Sequence, residues 1–371
     1  MTSTTKSDLQ SPEIAFQTDF AGLILVLKPS NATSAMPLFQ WLPDLGISLS
    51  VVTLGNNLNL TKLFIAIDSP EYYPKILQEI CCNLSKLILV EWQDNIYEVT
   101  GIEVDKSPLH ILQIPIYPSR KLPQSLGLAI HALCYHWLHL GNPNLSEKVH
   151  GQNVSPITLS LNHCKSGNKL YLKIGLLQKY LLAPLLCGLS SEISREILIA
   201  GIPCKLGNRV EILQSSSFEQ LSQIPPETSI VLEFLSLTSF RQNKVTQPFP
   251  LPSLVFGGLL RRWNIFSRPE LEFPTMEWEG ITSAYELKTK TTKLKADWEI
   301  GSVGWVRYHF PESQAQISTT LAHFATFAGV GRKTAMGMGE VRVREWGMGS
   351  REDEGESHLC LFSIKLIENQ K

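Results

Sequence analysis

Four glycines fall within eleven residues in the run Gly329-Val330-Gly331-Arg332-Lys333-Thr334-Ala335-Met336-Gly337-Met338-Gly339. Glycine permits tight turns and close backbone approach, and Arg332, Lys333 and Thr334 sit at the centre of the run. Backbone N–H groups beside fixed cations make a concavity suited to phosphate. The order of elements decides which kind of phosphate. Ser318–Ala328 before the run has helical character, and Val341-Arg342-Val343-Arg344 after it alternates like a strand. Helix–loop–strand reverses the strand–loop–helix order of nucleotide-holding glycine loops, and Lys333 is not in Walker spacing. The run therefore points to a nucleic-acid backbone and away from a mononucleotide, with a merely structural turn as the competing reading. Arg261 and Arg262 at a helix end, Arg307, and the strand pair Arg342/Arg344 are further candidate phosphate contacts, each competing with an ordinary surface cation.

Nine histidines offer proton transfer, since an imidazole with a pKa of ~6.5 changes charge near working pH. His131, Tyr135 and His139 fall at i, i+4 and i+8, opposite an apolar stripe of Leu126, Ile130, Leu133, Trp137 and Leu140, which places them on a solvent-facing or RNA-facing side. His131, His136 and His139 lack a clean i, i+4 pair, and no carboxylate or cysteine completes a set. No metal and no cofactor is expected. Cys134 reads as a packed apolar residue.

These residues need elements to hold them. Residues 108–225 read as strand (110–117), helix (126–140), a short second helix ending near His150, two strands (157–161 and 169–174) joined by a Gly167 turn, helix (177–189) and strand (210–213). Residues 226–345 open in the same way, with a strand at 229–235 and a helix over 251–263 entered through Leu-Pro, as Leu122-Pro123 enters the first. The expected fold class is α+β: two tandem ferredoxin-like (RRM-like) β-α-β-β-α-β domains with an additional N-terminal α/β element. Residues 1–107 read as that separate element, with strands at 23–27, 47–52, 63–67, 87–92 and 96–99 and a helix over 73–84. Residues 346–371 read as an acidic linker and a terminal strand (358–367).

The formal net charge of −1 conceals a gradient. Residues 1–107 carry 6 Lys+Arg against 12 Asp+Glu, 108–225 carry 10 against 5, 226–344 carry 14 against 11, and 345–371 carry 3 against 6. A basic centre between acidic ends suits a polyanion bound centrally. No apolar run approaches the ~20 residues of a bilayer span, the first twenty residues lack a signal-peptide pattern, and seven scattered cysteines form no disulfide framework. The expected setting is cytoplasmic, with no membrane partner.

The glycine-rich run 329–339, together with Leu232–Arg241, Phe256–Asn264 and Gly301–Tyr308, resembles the CRISPR-associated repeat-processing endoribonucleases. The resemblance covers about 108–345. It implies tandem ferredoxin-like domains, a CRISPR repeat RNA as partner, and metal-independent cleavage in which the RNA 2′-hydroxyl attacks its own 3′-phosphate, leaving 2′,3′-cyclic phosphate and 5′-hydroxyl ends. Gly329, Gly331, Arg332, Lys333, Thr334, Gly337 and Gly339 would then contact RNA, with Arg261, Arg262, Arg307 and Arg342. It also implies a catalytic histidine in a short helix, His, loop, Ser/Thr-Pro arrangement, which falls on His150 before Gly151–Ser155-Pro156.

Two departures accompany it. Ile130-His131 stands near the position where many members carry a tyrosine, and 151–157 contains no lysine. Charge stabilisation would have to come from Lys148, His131, Arg332 or Lys333. A non-catalytic RNA-binding subunit of a CRISPR effector complex is the alternative, and residues 1–107, being acidic, read as a protein-interaction module.

Overall fold

A computed structural model describes residues 20–344, apart from 43, 45–48, 56–59, 87, 124, 165–168 and 295–296. The acidic link and terminal strand expected beyond 345 lie outside the described residues, as do 47–48 of the strand expected over 47–52.

The first sheet comprises β1 (Gly22–Pro29), β2 (Met36–Pro37), β3 (Leu49–Thr53), β4 (Thr61–Ile67), β5 (Leu89–Trp92) and β6 (Asn95–Asp105), in the order β2-β5-β6-β1-β4-β3. Helices α1 (Leu38–Trp41) and α2 (Tyr73–Leu84) accompany it. Pro74 suits the first turn of α2, where an N–H has no helical partner, and Tyr73, Ile76 and Ile80 form its buried stripe.

The chain then runs twice through one unit. The first contains β7 (Leu109–Pro118), α3 (Gly127–Gly141), α4 (Pro143–His150), β8 (Ile157–His163), β9 (Leu170–Leu176), α5 (Leu182–Ser190), β10 (Glu196–Ile199), β11 (Ile202–Leu206) and β12 (Glu211–Ser216). A short helix α6 (Phe218–Ser222), held by a Ser217/Gln220 capping box, leads to the second. That unit contains β13 (Ser229–Thr238), β14 (Phe240–Gln242), β15 (Val245–Gln247), α7 (Pro252–Phe266), β16 (Ile281–Leu294), β17 (Asp297–His309), α8 (Glu312–Ala328) and β18 (Val341–Val343). The sheets pair as β12-β7-β9-β8 and β18-β13-β17-β16, so in both the third strand lies between the first and second and the fourth flanks the first. This is the tandem ferredoxin-like architecture. The β10–β11 hairpin is an addition that the sequence pattern did not disclose, because each strand offers only four or five residues of alternation. Its turn uses Ala200 and Gly201, both at positive φ.

The N-terminal sheet does not stand apart. Every residue of α5 from Leu182 to Leu189 is buried, as an all-apolar helix requires, and it packs against α3 on one side and against β3 and β4 on another. The α3–α5 crossing depends on glycines: a Cβ on Gly141 would lie 1.8 Å from the Pro184 carbonyl oxygen, and one on Gly188 would lie 1.8 Å from that of Trp137. One hydrophobic cluster runs from Leu23 and Phe64 through Trp137 to Leu206. Asn142 caps α4 by accepting from the Leu145 N–H at 2.9 Å while its amide donates to the Asp68 carbonyl at 3.1 Å. A second cluster, with Phe218, Trp263 and Phe324 in mutual contact, fills the second repeat. Among the described residues no helix is long and apolar enough to cross a membrane.

Candidate nucleic-acid interface

Helix α8 ends at Gly329, whose φ of +65° turns the chain out of the helix. The loop that follows is fastened to the body of the second repeat. Val330 N–H donates to the Gly339 carbonyl at 2.9 Å, Arg332 N–H to Ser239 at 2.9 Å and Gly339 N–H to Leu237 at 3.0 Å. Glycine is obligatory where the backbones meet: a Cβ on Gly331 would stand 2.3 Å from the Ser239 oxygen, and one on Gly339 2.1 Å from the Val330 oxygen, both at positive φ. Those three amides serve the loop itself, so its cationic side chains and remaining backbone are what it offers a ligand. Lys333 takes a left-handed conformation, φ +57°, and starts a single 3-10 turn over Thr334–Met336 that rests on β8 and α3. Gly337 faces Ile130 of α3, 3.4 Å from where its Cβ would be. The second repeat's glycine loop is thereby set beside the first repeat's histidine helix.

On α3 and at the end of α4 three rings assemble. His131 stacks on Tyr135 with centroids 4.6 Å apart, and His150 stands edge-on to both, at 5.2 Å from Tyr135 and 6.1 Å from His131. His150 closes α4 and is exposed, His131 is half-buried, and Lys148, two residues before His150, is exposed. Tyr135 is buried, so the expectation of a solvated His131/Tyr135/His139 face holds only in part. Burial pushes its phenol above the usual range, partly offset by a hydrogen bond with Ser155. A tyrosine ring from the first helix therefore packs on the histidine, one turn beyond the position where the sequence departs from the family pattern, while its hydroxyl bonds Ser155. The i+4 spacing from His131 was the available signal. By periodicity alone it describes a surface stripe, since a helical period does not reveal that α4 folds back over that face.

Arg262 departs from the phosphate contact expected of it. It is 7% exposed, and its guanidinium donates to the Ala328 carbonyl, to Thr334 Oγ1 at 3.0 Å and to the Ser155 carbonyl at 3.1 Å. It ties the end of α8, the glycine loop and the His150 segment to one planar group. Burial, with the neighbouring charge of Arg261, lowers its pKa to about 10. Thr334, expected to contact RNA, is 8% exposed and serves this clamp.

Arg332 and Lys333 share the buried carboxylate of Glu299 on β17. Lys333 Nζ donates to Oε1, and Arg332 Nη1 lies 3.5 Å from Oε2 and 3.3 Å from Thr246 Oγ1. Two cations on one carboxylate leave a surplus positive charge. A cleft of about 330 Å³ between α7 and the loop is lined by Phe240, Arg241, Gly257, Gly258, Arg261, Arg332 and neighbouring residues, with no carboxylate among them. Arg241 belongs in this set though the sequence pattern gave no reason to select it; β14 and β15 bring it there. Arg307 is half-buried within β17, and Arg342 is paired with Glu233 at 2.8 Å. The two repeats meet behind the loop, where Lys173 Nζ and Asn162 Nδ2 reach Glu340 Oε1 at 3.0 and 3.2 Å and Thr158 Oγ1 donates to the Phe327 carbonyl at 2.9 Å. Among the described residues no three His, Cys, Asp or Glu side chains converge as a metal-ligand set.

Residues 232–341, which hold Arg241, Arg261, Arg262 and the whole glycine loop, match the family model described as CRISPR-associated endoribonuclease Cas6. Its family resemblance is to Cas6. A solved Cas6 product complex superposes with a TM-score of 0.54 at 26% identity, covering 64% of this chain and 99% of its own. Another Cas6 product complex gives a TM-score of 0.58 at 22% identity, covering 64% of this chain and 100% of its own. Thermus thermophilus Cas6 gives 0.50 at 22%, covering 65% and 100%. No curated protein matches the chain. The Cas6 relatives are spanned end to end by about two thirds of this chain, the share that its tandem repeats make up.

Proposed function

We propose that the protein is an endoribonuclease that processes CRISPR RNA, cutting the precursor within its repeats without a metal. The observation that carries this reading is the link across the repeat boundary: Arg262, in the lining of the arginine cleft, bonds Thr334 of the glycine loop and the carbonyl of Ser155, which also bonds Tyr135 of the His131/Tyr135/His150 cluster. The cleft would hold phosphates through Arg241, Arg261 and Arg332, fixing the strand. His150, exposed at the end of α4, is the group to move a proton at the reacting ribose. The 2′-hydroxyl gives up its proton as its oxygen attacks the adjacent phosphorus; the 5′-oxygen leaves and takes a proton, giving 2′,3′-cyclic phosphate and 5′-hydroxyl ends. Lys148 and His131 are the candidates for stabilising the charge that develops on the phosphate, and Tyr135 would position His150 by packing on it.

CRISPR repeat RNA incubated with protein in excess EDTA tests the reading. Cleavage is expected, and a 2′-deoxy substitution at the cut should abolish it. His150→Ala should lower the cleavage rate by ~10²–10⁴, the usual weight of a proton-transfer group, with RNA affinity unchanged. Undiminished cleavage by that variant would refute the assignment of His150; binding without cleavage by the unaltered protein would leave a guide-RNA-binding subunit of an effector complex.

A further inference from the structure

One face of α7 is lined along its whole length. Leu254, Gly258 and Arg261 border the arginine cleft, and Ile265, next on the same stripe at spacings of four, three and four, borders a second depression. That depression, about 430 Å³, begins at the Gly151–Val154 loop that directly follows His150. It shares Gln178, Tyr180, Ile265 and Phe266 with a larger one of about 760 Å³, so the two form one groove. Tyr180 is bonded to Gln152 of the His150 loop, which joins the groove to the candidate centre. The far wall belongs to the N-terminal element, through Phe20 and Lys106, whose ammonium sits 5.6 Å over the Phe20 ring. Lys179 and Arg268 supply two further cations; the carboxylates present are Glu71 and Glu219, the latter 3.8 Å from Arg268.

We propose that this groove binds the single-stranded RNA flanking the cleavage position, which makes the N-terminal element part of the RNA-binding surface. The fifteen residues of α7 span ~22 Å, the length of about six stacked nucleotides. The arginine cleft lies toward one end of that span and the groove toward the other, with the His150 loop beside them. A strand held at both ends crosses the candidate centre. The groove supplies what an unpaired strand needs: cations for phosphates, and Tyr180, Phe20 and the half-exposed Ile265 for base faces. The proposal rests on reading the His150 site as an endoribonuclease centre.

The test uses the full chain and repeat RNA made uncleavable by a 2′-deoxy cut site, carrying a 5′ flank, a 3′ flank or neither. Fluorescence anisotropy across a salt series compares the protein with Lys106→Glu/Lys179→Glu. One flanked RNA should lose at least tenfold in affinity and about two units of salt slope, one per phosphate contact, while RNA lacking that flank is unaffected. A 4-thiouridine in that flank should crosslink to Tyr180 or Phe20. Equal loss on all three RNAs, no loss on any, or crosslinks confined to the glycine loop would overturn the proposal. If the unaltered protein neither binds nor cuts repeat RNA, the endoribonuclease reading fails first; if it cuts normally and the flanks are indistinguishable, the groove alone is refuted.

Discussion

Replacing Arg262 by methionine strips one planar group from three acceptors that belong to different parts of the chain: the Ala328 and Ser155 carbonyls and Thr334 Oγ1. Leaving a buried acceptor without its donor costs about 1–3 kcal/mol, so three amount to about 3–9 kcal/mol. Against this, the charge is no longer buried. A guanidinium brought from 12.5 to about 10 has lost roughly 3 kcal/mol of preference for its charged form, at about 1.4 kcal/mol for each pH unit. The net expectation from the middle of the range is about 3 kcal/mol of destabilisation, read as the shift of urea midpoint at unchanged slope. The functional effect should exceed the structural one. Ser155 bonds both Arg262 and Tyr135, and Tyr135 packs on His150. Single-turnover cleavage at a temperature where the variant stays folded should fall at least tenfold, with RNA affinity changed far less. Arg262→Lys, which keeps the charge but not the planar fork, should recover most stability and little of the rate. A methionine variant within ~0.5 kcal/mol of the parent and with its full cleavage rate would refute the idea that this guanidinium couples the glycine loop to the histidine segment.

Gly331→Ala forces a Cβ to 2.3 Å from the Ser239 oxygen at a φ of +81°, and should cost at least ~2 kcal/mol and most RNA affinity by anisotropy; a neutral result would show that the loop has an alternative path. Glu299→Gln raises the local cation surplus from one to two by removing the carboxylate shared by Arg332 and Lys333. RNA affinity at low salt should rise a few-fold while stability falls by about 1–3 kcal/mol; weaker binding would mean that the carboxylate's chief role is to aim those cations. Burial pushes the Asp105 carboxyl up, but bonding and charge from the buried His110, 2.7 Å away, and the Ser107 N–H outweigh it and hold it below the usual range. A depressed carboxylate pKa stabilises the fold above the unfolded value of ~3.9 and loses that contribution as pH falls through the folded value. Acid titration of stability should therefore steepen below about pH 4, and Asp105→Asn should flatten it; identical acid profiles would refute the assignment.

Much of the backbone was readable from periodicity. Helix α2 runs over Tyr73–Leu84 as the pattern predicts, and the repeated strand–helix opening of 108–225 and 226–345 corresponds to two sheets of the same order. The glycine loop, too, sits between a helix and a strand as its flanks require. These features are local: a period of 3.6 or 2, a proline at a helix start, a glycine where φ is positive, each decided within a few residues. Arg262 could not be told from Arg261 in this way, since adjacent residues on a helix point 100° apart and only the packed partner fixes which is buried. Nor could periodicity show that Tyr135 lies under α4, that Arg241 joins the cleft, or that the N-terminal sheet covers α5. Groups more than a hundred residues apart, such as Ser155 and Arg262, or Lys173 and Glu340, acquire their roles when the two sheets dock. That docking is set by the fit of apolar faces, a property of surfaces in three dimensions that a linear pattern does not encode.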